Sequence, residues 1–417
     1  MSGSETWQQR ITVTETFPIR LGSVFVIVSL GASLVMSLDP LRATDNVTAL
    51  KYLPLIMMFL GMLCLFIAGI PKRVLHLFAL MALLILSILM TLGALVPLLS
   101  GAQLADSYLG RGLNLLAAPT GALVAANPSA LDRVTRSFKM MFLVVSVIGL
   151  AMLVAKSLGL IYPNVGHILH IETTFFVAGL IWVARRWPFL LLRLAIIGLL
   201  AWLSIETGKS TTLLLLGVFV FATFVLDGFM KFRRLARDNN QNRAALTGLL
   251  LYFAVLSASG ALWFFISTIV ERATRYQNDL RAEMWADRWE KFTSSPLIGQ
   301  MFTDSPIYRN EHLAGTLLST HNDFLDVLAS GGILGITLFL ALPISIGFRK
   351  TFYRSLTADN RRVPTVAIYG FIFLAYLVSG LGNPFLPVPR LAAVVWFSMG
   401  VLGMHVQNEV HKAARWR

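Results

Sequence analysis

The run STHNDFLDVLASGGILGITLFL, Ser319 to Leu340, sets His321 and Asn322 with two aspartates, Asp323 and Asp326, directly against a long apolar stretch. An imidazole at such a boundary can accept a proton near neutral pH, which is the work of a general base. Thr320 followed three positions later by Asp323 reads as a capping box, predicting a helix start with His321 at its first helical position. The partial positive charge of a helix N-terminus disfavours imidazolium and keeps the ring neutral. The free N–H groups there also offer a seat to an anion such as phosphate. The competing reading gives His321 and Asn322 a capping or interfacial hydrogen-bonding role.

Two further stretches carry cations. NDLRAEMWADRWEKF, Asn278 to Phe292, reads as an amphipathic helix capped by Asn278 or Asp279, with Arg281, Trp285, Arg288 and Phe292 at helical spacing. PLIG, Pro296 to Gly299, ends it with a turn. An arginine fork donates two hydrogen bonds at once and so suits a diphosphate. For Arg281 the alternative is an ion pair with Glu283, Asp287 or another acid of the same segment. ETGKST, Glu206 to Thr211, contributes Lys209, whose alternative is to snorkel to water beside Glu206. Trp285 and Trp289 also fit interfacial anchoring.

The elements that position these residues are set by composition. Of 417 residues, 56% are hydrophobic and 13% charged, and the mean hydropathy is +0.71. Those values exclude an ordinary soluble domain and predict an all-α, polytopic transmembrane bundle. Apolar runs long enough to cross a ~30 Å hydrocarbon core fall at roughly 20–38, 52–70, 74–98, 137–160, 168–185, 188–206, 211–229, 247–270, 325–348, 364–383 and 390–406. That makes eleven clear spans. The single cysteine, Cys64, lies within one of them, which excludes an intramolecular disulfide framework and a cysteine-based metal cluster.

Basic connections at Pro71–Arg73, Arg185–Arg186, Lys231–Arg243 and Arg349–Arg362, with the basic tail, belong on the cytoplasmic side. Counting crossings between them leaves one missing between Leu99 and Phe138. LNLLAAPTGALVAA, Leu113 to Ala126, with Pro119 and Gly121, is expected to supply it as a broken helix whose freed backbone groups are satisfied by neighbouring helices. The prediction is therefore twelve spans with both termini cytoplasmic, the first run being a retained helix because it is long for a signal peptide. The net charge of +14 then orients the chain and attracts anionic headgroups, while the lack of a basic soluble domain argues against nucleic-acid binding.

The organisation expected is residues 1–270 with transmembrane helices 1–9, residues 271–324 as a periplasmic loop with short helices, and residues 325–417 with transmembrane helices 10–12 and a cytoplasmic tail. A loop of that length is usually functional. Arg281 on the loop gains nothing from the orientation rule, so an anionic partner is expected there. Lys209 and His321 fall on the same outer face. His167, His170 and His312 also fall outside, with no chemistry assigned to them.

Together, THNDFLDVLASGGILGI at Thr320 to Ile336, Arg281 and Trp285 followed by PLIG, and the polar turn TGKST resemble the O-antigen ligase family, which shares a domain with O-antigen polymerases and some protein O-glycosyltransferases. The likeness covers roughly the second half of the chain. It departs at Lys209, where the family usually has arginine, so charge is kept and two-point binding lost.

The resemblance implies a membrane glycosyltransferase with a GT-C-like fold in the bacterial inner membrane. It would take glycan from undecaprenyl diphosphate at the periplasmic face and pass it to the lipid A core oligosaccharide. His321 is expected to act as the general base of a single inverting displacement, with Arg281, Lys209 and Arg288 on the diphosphate. No D-x-D pair occurs in the chain, and neither a metal nor another cofactor is expected. The alternatives are a polymerase or protein O-glycosyltransferase of the same superfamily and, more distantly, a transporter, which would place ionisable groups within the spans.

Overall fold

The computed structural model describes residues 16–38, 48–69, 74, 78–101, 107–160, 198–199, 202, 232, 245–249, 252, 280–310, 316–319, 322–348, 367–380 and 385–415. Its helices are α1 Phe17–Met36, α2 Thr48–Ile67, α3 Phe78–Leu99, α4 Leu109–Asn114, α5 Ala117–Ala126, α6 Pro128–Ser157, α7 Leu280–Ser294, α8 Asp323–Gly347, α9 Ala367–Ser379 and α10 Pro389–Arg415. Among the described residues, five helices (α1, α2, α3, α6 and α8) are long and apolar enough to cross a membrane. The expected spans at 168–185 and 211–229 lie outside the described residues, as do nearly all of those at 188–206 and 247–270.

The helices carry apolar side chains on both sides, as a lipid-facing bundle requires. In α1, Val26, Leu30 and Leu34 are buried while Val24, Val28 and Val35 are exposed. Its buried serines are satisfied by backbone: Ser23 and Ser33 donate to carbonyls one turn back, and Ser29 donates across to the Pro54 carbonyl of α2 at 2.6 Å. A hydroxyl bonded in this way adds no unmet polar group to an apolar interior.

The segment expected to break does so. Leu115 and Leu116 form a turn between α4 and α5, and every residue from Ala117 to Ala125 is buried. A ten-residue α5 rises about 15 Å, half the hydrocarbon thickness, so no single continuous helix makes a crossing here. Its tightest neighbour is α10. A Cβ on Gly121 would overlap the Phe397 carbonyl, and one on Gly400 would overlap the Ala118 carbonyl. Glycine at both places lets the two backbones meet, the usual device for helix association within a bilayer.

One element departs from the helical expectation. Ile307–Asn310 (β1) and Thr316–Ser319 (β2) form a two-stranded antiparallel sheet, with Ile307 opposite Ser319. The long connection thus holds a helix, a turn and a hairpin, where short helices alone are expected. Parts of three connections lie near one another: Tyr108 after α3, Ser295–Pro306 before β1, and Phe385–Val388 before α10. Asn114 Nδ2 donates to the Leu386 carbonyl at 2.8 Å, and a Cβ on Gly93 of α3 would overlap the Met301 carbonyl.

Candidate functional site

α7 spans Leu280–Ser294, close to the expected Asn278–Phe292, and its faces divide as an amphipathic helix should. Met284 and Arg288 are buried while Trp285 and Trp289 are exposed. PLIG follows as a turn and locks onto a break in α8. Gly332 has φ 61° and ψ −160°, a conformation open essentially to glycine alone. The break frees two α8 amides, and PLIG takes both. Ile333 N donates to the Pro296 carbonyl at 2.8 Å, and Leu334 N to the Leu297 carbonyl at 3.0 Å. Gly299, at φ +58°, would carry a Cβ 2.5 Å from the Ser330 backbone. The glycines of SGG and of PLIG are one contact seen from two sides.

Nearly two turns before the break lies a buried charge cluster. Asp326 of α8 receives Arg111 Nη1 at 2.6 Å and stands 3.5 Å from Arg288 Nε. Arg288 also donates to Asp304 Oδ2 at 3.1 Å and to the Ser305 carbonyl at 3.1 Å. Arg111 reaches the neighbouring Pro306 carbonyl at 3.5 Å and lies over the Tyr108 ring. Ser330 donates to Asp304 at 3.1 Å and is 2.5 Å from the Tyr108 hydroxyl. Burial, with Asp304 and Asp326 close by, pushes the Tyr108 phenol well above its ordinary value, so it stays protonated and donates to Ser330. Each buried ion thus has an opposite charge nearby and hydrogen bonds besides, the condition under which burying charge is tolerated.

The contacts along α7 and α8 advance together. Arg288 meets Asp326, and eight residues further on Pro296 meets Ile333. Arg288 of α7 thus meets α8 near its start, and the turn that follows α7 meets α8 further along. Arg281 sits in the first turn of α7, two turns before Arg288, or about 10 Å along the axis; its side chain lies outside the described residues. His321 and Lys209 also lie outside them. Arg288, expected on the diphosphate, is fully buried among protein carboxylates.

The start of α8 differs from the expected capping box. The cap is Asn322, whose side chain accepts from Leu325 N at 3.0 Å, and α8 begins at Asp323. Asp323 Oδ2 accepts from Phe385 N at 3.0 Å and Leu386 N at 2.9 Å. His321 thus precedes the cap instead of occupying the first helical position, and it is a sequence neighbour of the helix end.

The chain is similar to an O-antigen ligase of Pseudomonas aeruginosa PAO1. The two are 29% identical over 225 residues, 53% of this chain and 49% of that protein. The chain thus spans about half the length of the curated relative it matches. No family model matches the chain.

Arg111, Asp326, Asp304 and Ser330 escape sequence reasoning because each takes its meaning from a distant partner; Arg111 and Asp326 are separated by 215 positions. Among the described residues no group of three or more His, Cys, Asp or Glu could hold a metal ion. Asp304, Asp323 and Asp326 are instead engaged by arginines or backbone amides.

Proposed function

We propose that this protein is a membrane glycosyltransferase that moves a glycan from undecaprenyl diphosphate onto the lipid A core oligosaccharide at the periplasmic face of the bacterial inner membrane. The acceptor hydroxyl oxygen attacks the anomeric carbon. The bond from that carbon to the diphosphate breaks with inversion, and the hydroxyl proton passes to His321. Arg281 and Lys209 meet the charge that develops on the departing diphosphate. A diphosphate leaves readily, so the step needs no general acid.

The observation that supports this reading is the contact between α7, the helix that bears Arg281, and the first turns of α8, which follows His321 in sequence: Arg288 of α7 meets Asp326 of α8. The likeness to an O-antigen ligase supports the choice of reaction. Arg288, buried against Asp304, the Ser305 carbonyl and Asp326, holds this loop segment to α8. A polymerase or a protein O-glycosyltransferase would use the same donor and differ only in acceptor. The test supplies purified protein with undecaprenyl diphosphate-linked glycan and, separately, lipid A core oligosaccharide, a second lipid-linked glycan, or a protein acceptor. Sugar is expected on the lipid A core; sugar on either other acceptor alone would reassign the protein to that activity. Glycan movement across vesicles with no bond formed would identify a transporter.

A further inference from the structure

We propose that Asp326 and Arg111 are positioning residues that hold the chain on both sides of His321, an inference that rests on the transferase reading above. Asp326 lies between two guanidinium groups from separate segments, Arg111 on α4 and Arg288 on α7. Each arginine also gives one donor to one of two successive carbonyls, Pro306 for Arg111 and Ser305 for Arg288, and Arg288 gives another to Asp304. The next residue, Ile307, opens β1 and pairs with Ser319, the last residue of β2. His321 follows Ser319 by two positions. On its other side Asn322 caps α8, and Asp323 is fastened to the Phe385 and Leu386 amides.

The choice of charged groups carries the inference. Apolar side chains of similar volume would join α4, α7 and α8 at least as stably, since a buried ion triad is no better than good packing for stability alone. Apolar packing would leave these two loop carbonyls without their donors, however, whereas the fixed fork of an arginine can serve a carboxylate and a carbonyl together. The triad therefore sets the height of the hairpin relative to the start of α8. A base misplaced by about 1 Å can lose roughly a hundredfold in rate. Neither Asp326 nor Arg111 needs to touch substrate for this.

The test uses the full-length protein in detergent or nanodiscs with Arg111→Lys, which keeps a cation for Asp326 and removes the second arm to Pro306. Two readouts are taken: amide hydrogen exchange over residues 305–319 without substrate, and kcat and KM for the donor. Exchange there is expected to rise while that of α6 stays unchanged, and kcat to fall about tenfold or more with donor KM within about twofold. Should Arg111→Lys fail to fold, Ser330→Ala removes the hydroxyl that links Asp304 to Tyr108 and leaves the charged groups in place, and the same two changes are expected. Unchanged exchange, or faster exchange with kcat unaltered, overturns the proposal. A raised donor KM with unchanged kcat overturns it too, by placing the triad in donor binding. If wild-type protein transfers no glycan while exchange still rises in the variant, the transferase reading falls and the anchoring of the hairpin stands.

Discussion

Arg288 Nε lies 3.5 Å from Asp326 Oδ1, with both side chains fully buried. This pair joins the amphipathic helix α7 to the start of α8, two elements separated in sequence by the turn and the hairpin. The Arg288 guanidinium also meets Asp304 and the Ser305 carbonyl, so it joins α7 to the segment that precedes β1. The cations left for substrate in the proposed reaction are Arg281 and Lys209.

Removing the carboxylate at this junction should be costly. Asp326→Ala leaves Arg111 and Arg288 buried without their shared counter-charge, and breaking a buried pair in this way costs roughly 3–5 kcal/mol. A marked fall in the thermal unfolding midpoint of the purified protein is expected, larger than that of Asp132→Ala, whose ion pair with Arg136 is solvent-exposed and worth about 0–1 kcal/mol. Equal midpoints for the two variants would show that the buried cluster carries no such strain when broken.

Gly332→Ala should detach PLIG. A Cβ there would stand 2.5 Å from the Leu297 backbone, and the backbone conformation alone costs about 1–3 kcal/mol for a residue other than glycine. Faster amide exchange at Ile333 and Leu334 is the expected signature, because their acceptors are the Pro296 and Leu297 carbonyls. Wild-type exchange at those two amides would contradict the docking.

How much of this was legible in the sequence differs from element to element. The apolar runs and the α7 periodicity are local patterns, so α1, α3, α6, α7 and α8 fall close to where they are expected. The break between Leu113 and Ala126 could also be read, because Pro119 and Gly121 are local and the count of basic connections demanded an irregular crossing. The start of α8 could not be read correctly. Thr320 with Asp323 and Asn322 by itself are both acceptable caps, and the choice is made by the amides of Phe385 and Leu386, more than sixty positions away. The hairpin has only four residues per strand, too few for alternation to register. Arg111 looks in sequence like a cation at the edge of a run until Asp326 and Pro306 are beside it.

The reacting groups make their own predictions. His321→Ala should lose about 10²–10⁴ in transfer rate, the usual contribution of a general base, and Arg281→Ala should be comparably impaired, both remaining folded in the membrane. Wild-type kcat should fall when the pH is lowered far enough to protonate His321, since protonation removes the acceptor of the hydroxyl proton. At position 209, Lys209→Arg should retain more activity than Lys209→Ala. Full transfer by purified His321→Ala or Arg281→Ala would remove that residue from the reaction, and equal activity of the two position-209 variants would remove Lys209.

The most direct test is a structure of the protein with an undecaprenyl diphosphate-linked donor bound. The diphosphate is expected within hydrogen-bond reach of Arg281, at about 2.7–2.9 Å, with His321 facing the anomeric carbon from the side opposite the leaving group. A diphosphate seated at the other end of the bundle, or His321 turned away from Arg281 with the donor in place, would contradict the account.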